Sequence, residues 1–517
     1  MNARGLPLLI LLVSVLLRGS TLVSNHLHVD EPRWMVRGLF VIESLQAGDM
    51  AALQTEHWTG RITPEMSQLS ASLASGSVTA ILTGAGVQLG DRLLPTLSSQ
   101  DEPFKRIFCA RIFHALLSSL TPLLLFLFLR RRVSEAGAAC AAGFLMFEPL
   151  IHYWGGMAHL EAVVTLAAPL SLLLYERARS RGSIRLVVAA GVFFGLAFAN
   201  RANAAAIPLA LLVYTGIRVW TEPGGEEPIW PRIRKEGVLL LLFGLTGWLV
   251  FVLLYPPIWG NSVWGFLAFI KVYVTSSGLT GVNRLTLVNW LKFHSLLAWM
   301  FLILSLLGLL SQNVRRHPLF QMGAVYYLAS FMILMLPATF HSRYLSSVLP
   351  ALAFTGSVTC AWLWERYSRR SRRASIYTGR VLGAVAMMFL LSSLAGDRGN
   401  YRSIRQKYGE LHELGFSEVH FPSRKVKYVR PEEEEGGRRL FVTSRGSTPL
   451  LPALYLGILL TDHGSFERVQ AGWTRVRLQE ALSCSQGDWE FGGSRPGRRP
   501  QQRSVGYRRL YYWPCRE

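Results

Sequence analysis

Apolar residues in this chain come in runs of roughly 17–22 with few charges, the length that spans about 30 Å of hydrocarbon. That pattern constrains the fold more than any other feature. The runs fall at 6–24, 108–129, 134–151, 159–175, 186–200, 203–217, 237–255, 294–310, 320–337, 344–364 and 381–396, predicting about eleven membrane helices. Prolines 208, 256, 337 and 350 fit this reading, because membrane helices tolerate proline. The expected fold is an α-helical polytopic membrane protein with a large first outer loop (25–107), an aromatic outer loop (256–293) and a C-terminal α/β domain (397–517).

The net charge of +22 is tempting evidence for nucleic acid. Its distribution excludes that partner for most of the chain. Arg130–Arg132, then Arg177, Arg179, Arg181 and Arg185, then Arg218, Arg232, Arg234 and Lys235, then Arg315 and Arg316 occupy every second loop. Arg366, Arg369, Arg370, Arg372, Arg373 and Arg380 close the series, and the intervening short loops hold Arg201 and Arg343. By the positive-inside rule the rich loops are cytoplasmic, as is the N-terminus. The first run is expected to be a retained signal anchor, since Ser24–His28 is a poor cleavage site.

Residues 32–47 are predicted to form an amphipathic helix, with Trp34, Val41, Ile42 and Leu45 opposite Arg37, Glu43 and Gln46. A second is predicted over 64–81, starting at Pro64. The Gly84–Gly90 run has the wrong spacing for a nucleotide loop and reads as a turn. In the tail, 416–420 and 440–443 read as strands, 450–460 as helix or buried strand, and 474–482 as a helix capped by Thr474. Cys109, Cys140 and Cys360 lie in or beside apolar runs and read as inert core residues. Cys484 and Cys515 are an even pair, either a disulfide or two separate thiols.

Polar residues recur at one membrane depth. Asp30 and Glu31 close the first run. His152, His159 and Glu161 surround the turn at 153–157, Arg201 and Asn203 follow Asn200, and His341–Tyr344 opens another span. Ionisable groups inside a membrane bundle are functional candidates by default. In a compact bundle all would line one extracytoplasmic cavity.

The order of these pieces resembles the C-type glycosyltransferase superfamily. The nearest branch holds the protein O-mannosyltransferases and the lipid A aminoarabinose transferases. The matching residues are Asp30-Glu31, Glu56-His57-Trp58-Thr59-Gly60, Arg111, Glu148-Pro149, His159-Leu160-Glu161, Gly195–Arg201, and Ser342-Arg343-Tyr344 with Pro350. The likeness covers about residues 1–400. The family usually has His-Pro-Gly at His57, often Asp at Glu161 and commonly Lys near Arg201.

The resemblance implies transfer of a sugar from a polyprenyl phosphate to a hydroxyl or amine on a protein, lipid or polysaccharide, with inversion. Asp30 is then the expected general base, with Glu31 and Glu161 as further catalytic carboxylates. Arg201, Arg343 and Arg111 are expected to bind the donor phosphate, as guanidinium forks suit phosphate. His57, His159 and Tyr344 are acceptor or metal candidates. A divalent cation fits mixed His/carboxylate ligands, though no spacing demands one. The expected setting is a bacterial inner membrane among its lipids. The competing class is a lipid or glycolipid flippase, which would show repeated halves and polar residues at mid-membrane. No internal repeat is visible.

Overall fold

The structure is a computed structural model of the whole chain. It describes residues 5–24, 31–49, 76–95, 102–222, 228–255, 259, 290, 292–335 and 342–368, single positions between 387 and 394, and seven strands beyond 415. The chain forms two compact units. One comprises Met1–Gly19, Ala71–Thr79 and His114–Leu394; the other comprises Ser20–Ser70, Ala80–Phe113 and Ala395–Glu517.

Helices α1 (Gly5–Ser24), α2 (Glu31–Ala47), α3 (Ser77–Leu93) and α4 (Glu102–Leu129) come first. They are followed by α5 (Glu135–Phe147), α6 (Pro149–Gly155), α7 (Leu160–Arg181) and α8 (Ile184–Asn200). After a 3-10 turn at Ala202–Ala205 come α9 (Ala206–Thr221), α10 (Ile229–Leu254), α11 (Leu296–Leu309), α12 (Gln312–Arg315) and α13 (Pro318–Met335). A second 3-10 turn, Ser342–Ser347, leads into α14 (Leu349–Ser368). The first ten apolar runs all hold helix, and the run at 134–151 holds two, α5 and the start of α6; most of the eleventh run, 381–396, is outside the described residues.

Among the described residues, five helices are long and apolar enough to cross a membrane, and six if α6 and α7, bent by 119°, count as one broken span. Three shorter apolar helices are α5, α8 and α11. Val238, Leu241, Leu245, Leu249 and Leu253 form an exposed stripe along α10. Their helical spacing puts one apolar face outward, which suits lipid and would be a liability in water. The chain is an integral membrane protein.

The larger unit packs around α7, whose residues are buried on nearly every side. A helix apolar all round belongs at a bundle centre. On its flank, α8 crosses α10 closely because Gly191 and Gly195 leave room: a methyl group on Gly195 would meet the Gly247 carbonyl at 2.6 Å. Phe144 of α5 stacks on Phe301 of α11 at 4.2 Å between ring centroids. Gly182, at φ 64°, ends α7 in the left-handed cap that glycine adopts without strain.

In the smaller unit, α2 buries Trp34, Leu39 and Val41, with Ser44, and leaves Leu45 exposed, against expectation. The Gly84–Gly90 run is not a turn but lies inside α3, which begins at Ser77; most of the helix expected over 64–81, Pro64 included, lies outside the described residues. Its glycines are contact points. A methyl group on Gly38 would collide with the backbone of Ala80 and Gly84, and Gly86 and Gly90 face Cys109. The small residues let helices touch, as they do between membrane helices.

Beyond 415, strands β1 (Phe416–His420), β2 (Val426–Pro431), β3 (Arg439–Thr443), β4 (Arg475–Arg477), β5 (Asp488–Glu490), β6 (Gln501–Val505) and β7 (Arg508–Trp513) are present. The larger sheet is antiparallel in the order β1-β2-β3-β7-β6. The strands expected at 416–420 and 440–443 are found. The helix expected over 474–482 is instead β4 at its start, paired with β5 so that Arg475 faces Glu490 and Arg477 faces Asp488 in register. Residues 450–460, Cys484 and Cys515 lie outside the described residues.

Candidate active site

The site begins with a helix that stops early. The apolar run at 134–151 does not continue as one helix: α5 ends at Phe147, and Glu148 and Pro149 start α6. Proline suits the first helical position because it has no N–H to satisfy. The Glu148 carboxylate caps α6 by accepting from the Leu150 amide. The carbonyls freed at the end of α5 need donors, because lipid supplies none. Arg18, 1% exposed within α1, donates to the carbonyls of Leu145 and Met146. It also reaches Ser118 Oγ and His152 Nδ1, at 3.0 and 2.8 Å.

After α6 the chain turns through Gly156–Ala158 and enters α7 with His159 as its N-cap and Glu161 in the first turn. An acidic residue is favoured there by the helix dipole. Asn200, the last residue of α8, holds this corner. Its side-chain N–H donates to the Leu160 carbonyl, and its oxygen accepts from the amide and hydroxyl of Thr79. Arg201 follows directly as the extended cap of α8. The turn bearing Arg343 and Tyr344 is pinned from three sides. Thr165 donates to the Ser346 carbonyl, Tyr326 to the Ser347 carbonyl, and Asn203 to the Ser347 hydroxyl.

These elements bring together residues spread over almost two hundred positions. Arg201 donates to Glu161 Oε1, and the other carboxylate oxygen, Oε2, pairs with His159 Nδ1. Arg343 Nη1 lies 3.3 Å from His159 Nε2. If Nε2 accepts from Arg343, the imidazole proton is on Nδ1 and donates to Glu161. The side chains form one chain: Arg201, Glu161, His159, Arg343. Tyr344 lies under both guanidiniums, 4.3 Å from that of Arg201 and 5.8 Å from that of Arg343. Glu161 and His159 are each 1% exposed, while Arg343 and Tyr344 are partly open.

The arrangement holds two guanidinium groups around one imidazole and one carboxylate. Guanidinium groups are suited to phosphate and to charge growing on an oxygen.

The smaller unit holds a second buried pair. Arg111, 0% exposed, makes a two-pronged contact with Glu31, both bonds 2.8 Å, and donates to the Leu22 carbonyl. Asp30, His57 and His341 lie outside the described residues. Among the described residues no group of three or more His, Cys, Asp or Glu is arranged to hold a metal. Arg18, Glu148 and Ser295 had no assigned role in the sequence reading. The signal for the first two was legible: a charge inside an apolar run, and an acidic residue before proline within another.

Residues 104–254 match the family model of dolichyl-phosphate-mannose-protein mannosyltransferases. That segment contains Arg111, Glu148, His159, Glu161 and Arg201. No curated protein matches the chain. Among solved structures, the chain is similar to ArnT from Cupriavidus metallidurans bound to undecaprenyl phosphate, at 17% identity and TM-score 0.49, covering 80% of this chain and 73% of that one. It is also similar to the oligosaccharyltransferase AglB from Archaeoglobus fulgidus in complex with an inhibitory peptide and a dolichol-phosphate, at 12% identity and TM-score 0.48, covering 78% of this chain and 57% of that one. Over residues 104–254, then, this chain is similar to the dolichyl-phosphate-mannose-protein mannosyltransferase family.

Proposed function

We propose that this protein moves a sugar from a polyprenyl-phosphate donor to a hydroxyl or amine on the extracytoplasmic face, inverting the anomeric carbon. The observation that carries this reading is the buried chain from Arg201 through Glu161 and His159 to Arg343, with Tyr344 between the guanidiniums. It supports binding of a phosphate anion, and the family match is to enzymes named for a lipid-phosphate sugar.

The donor's leaving group is a phosphate, a weak base. It departs if its growing charge is neutralised, and needs no strong general acid. Arg201 and Arg343 have that role. Glu161 orients Arg201 and fixes the His159 tautomer. The attacking hydroxyl must lose its proton as the new bond forms, and Asp30 is the base. Glu31 is next to Asp30 in sequence. It is a further catalytic carboxylate, gripped by Arg111, whose nitrogens are engaged by Glu31 and the Leu22 carbonyl. His57 is the remaining acceptor or metal candidate. The acceptor is a protein, a lipid or a cell-envelope polysaccharide. The protein sits in a bacterial inner membrane with its N-terminus and arginine-rich loops cytoplasmic.

The test is sugar transfer by protein reconstituted in nanodiscs, with polyprenyl-phosphate mannose and polyprenyl-phosphate aminoarabinose as donors, with and without a chelator. Wild type releases polyprenyl phosphate and Asp30→Asn does not, while inserting normally. Wild type inert toward both donors, yet moving a fluorescent lipid across the bilayer, would overturn the reading in favour of a flippase. Asp30→Asn at wild-type rate would remove Asp30 as the base.

A further inference from the structure

We infer that Glu148 is a positioning residue for the active site, setting through helix α6 where His159, Glu161 and Arg343 stand. Its carboxyl is 0% exposed, and among the described residues it makes no ion pair. A buried carboxylate without a cation is costly, so its place needs a reason. Its two oxygens bond to two separate helix N-termini. Oε1 accepts from the Leu150 amide in the first turn of α6, at 3.4 Å. Oε2 accepts from the Ser295 hydroxyl at 2.5 Å. Ser295 is itself the N-cap of α11, where its oxygen accepts from the Ala298 amide. One carboxyl therefore ties the start of α6 to the start of α11, 147 residues further on. Both ends are the positive poles of helices, where a carboxylate is best tolerated.

What α6 touches gives this tie its consequence. The helix packs on α7, which begins with His159 and Glu161, and on the 3-10 turn carrying Arg343 and Tyr344. Trp154 of α6 lies 5.1 Å from the His159 ring, centroid to centroid. Ser118 closes the other side, facing Gly155 so tightly that only glycine fits there. A shift of α6 by a fraction of an ångström moves both halves of the phosphate-binding chain. Glu148 thus acts on the site without touching it.

The activity arm of the test rests on the proposed sugar transfer; the structural arm does not. Glu148→Ala, Glu148→Gln, Ser295→Ala and the double variant Glu148→Ala/Ser295→Ala are reconstituted in nanodiscs. Two quantities are read: amide hydrogen exchange over residues 149–161, and transfer at saturating donor. Glu148→Ala is expected to speed exchange over that segment and lower turnover roughly 10- to 100-fold, the scale of an ångström of misplacement. Glu148→Gln accepts from the Leu150 amide through its oxygen and donates to Ser295 Oγ through its NH2, and keeps both to within about threefold of wild type, which general loss of packing would not do. Ser295→Ala goes the same way as Glu148→Ala, and the double variant is no worse than Glu148→Ala alone, because the two share one bond.

Unchanged exchange in Glu148→Ala, or additive effects of the two substitutions, would overturn the inference. If Glu148→Ala does not fold, Ser295→Ala decides alone, and unchanged exchange there is the contradicting result. Exchange that follows the expected order in a protein that transfers no sugar keeps the inference and sinks the proposed reaction.

Discussion

Helix α7 carries charge at both ends, and the ends are built differently. Glu161 stands in its first turn and Arg179 in its last, about 27 Å apart at 1.5 Å per residue. At the far end, Arg132 pairs with Glu176 at 2.9 Å, and Arg179 with Glu222 and, at 3.0 Å, Glu236. Arg218 joins Glu222, four residues along the same turn of chain. Three arginines meet three carboxylates there, and Arg132 and Glu222 are about one-third exposed. At the near end the groups are Glu161, His159 and Arg201, all nearly sealed, with Asn200 holding the start of α7 and Thr165 and Tyr326 holding the turn of Arg343. The far end is a fastening between helix termini. The near end holds charge deep in low dielectric, at a cost that a structural role does not explain.

The largest effect should come from breaking the near end. Arg201→Ala leaves Glu161 buried beside an imidazole. That should cost about 3–5 kcal/mol in thermal or denaturant unfolding and abolish sugar transfer. Arg179→Ala removes a partner of two carboxylates, one of which, Glu222, is about one-third exposed and keeps Arg218. It should cost about 1–2 kcal/mol and leave the turnover of the folded fraction unchanged. If Arg179→Ala reduced transfer as strongly as Arg201→Ala, the distinction between the two ends would fail.

A smaller effect concerns acid. The hydrogen bond from Arg179 holds the Glu222 carboxyl below its ordinary value of 4.5. Burial holds His317, beside this end, below its ordinary 6.5. Both groups have depressed values in the fold. Each contribution is therefore complete above the ordinary value and is lost as pH falls through the depressed one. The contributions of these two groups should be lost first below pH 6.5 and again below 4.5. His317→Asn should remove the first step and Glu222→Gln should reduce the second. Unfolding midpoints of wild type and both variants, measured between pH 7 and 4, check this, and variants that follow the wild-type pH profile would contradict it.

The sequence displayed the near end more clearly than the packing around it. His159, Glu161, Arg201 and Arg343 stand out because a charge at the edge of an apolar run is rare enough to be noticed one residue at a time. Glu148 and Arg18 are also charges in apolar runs, but their meaning depends on a helix break that periodicity does not mark. The Gly84–Gly90 run misleads for a related reason. Glycine permits both a turn and a close helix crossing, and only the partner helix bearing Gly38 distinguishes them. The ribbon at Arg475–Arg477 needed a partner strand eleven residues beyond to outweigh local helix propensity.

The central claim is that the near end of α7 binds the donor phosphate. Binding of polyprenyl phosphate to reconstituted protein, measured for Arg343→Gln and Arg218→Gln beside wild type, tests it most directly. Arg343→Gln should weaken binding by roughly tenfold or more, the loss of a charge-assisted bond of about 1.5–3 kcal/mol, and Arg218→Gln should bind as wild type does. Equal binding by Arg343→Gln and wild type, or a loss confined to Arg218→Gln, would contradict it.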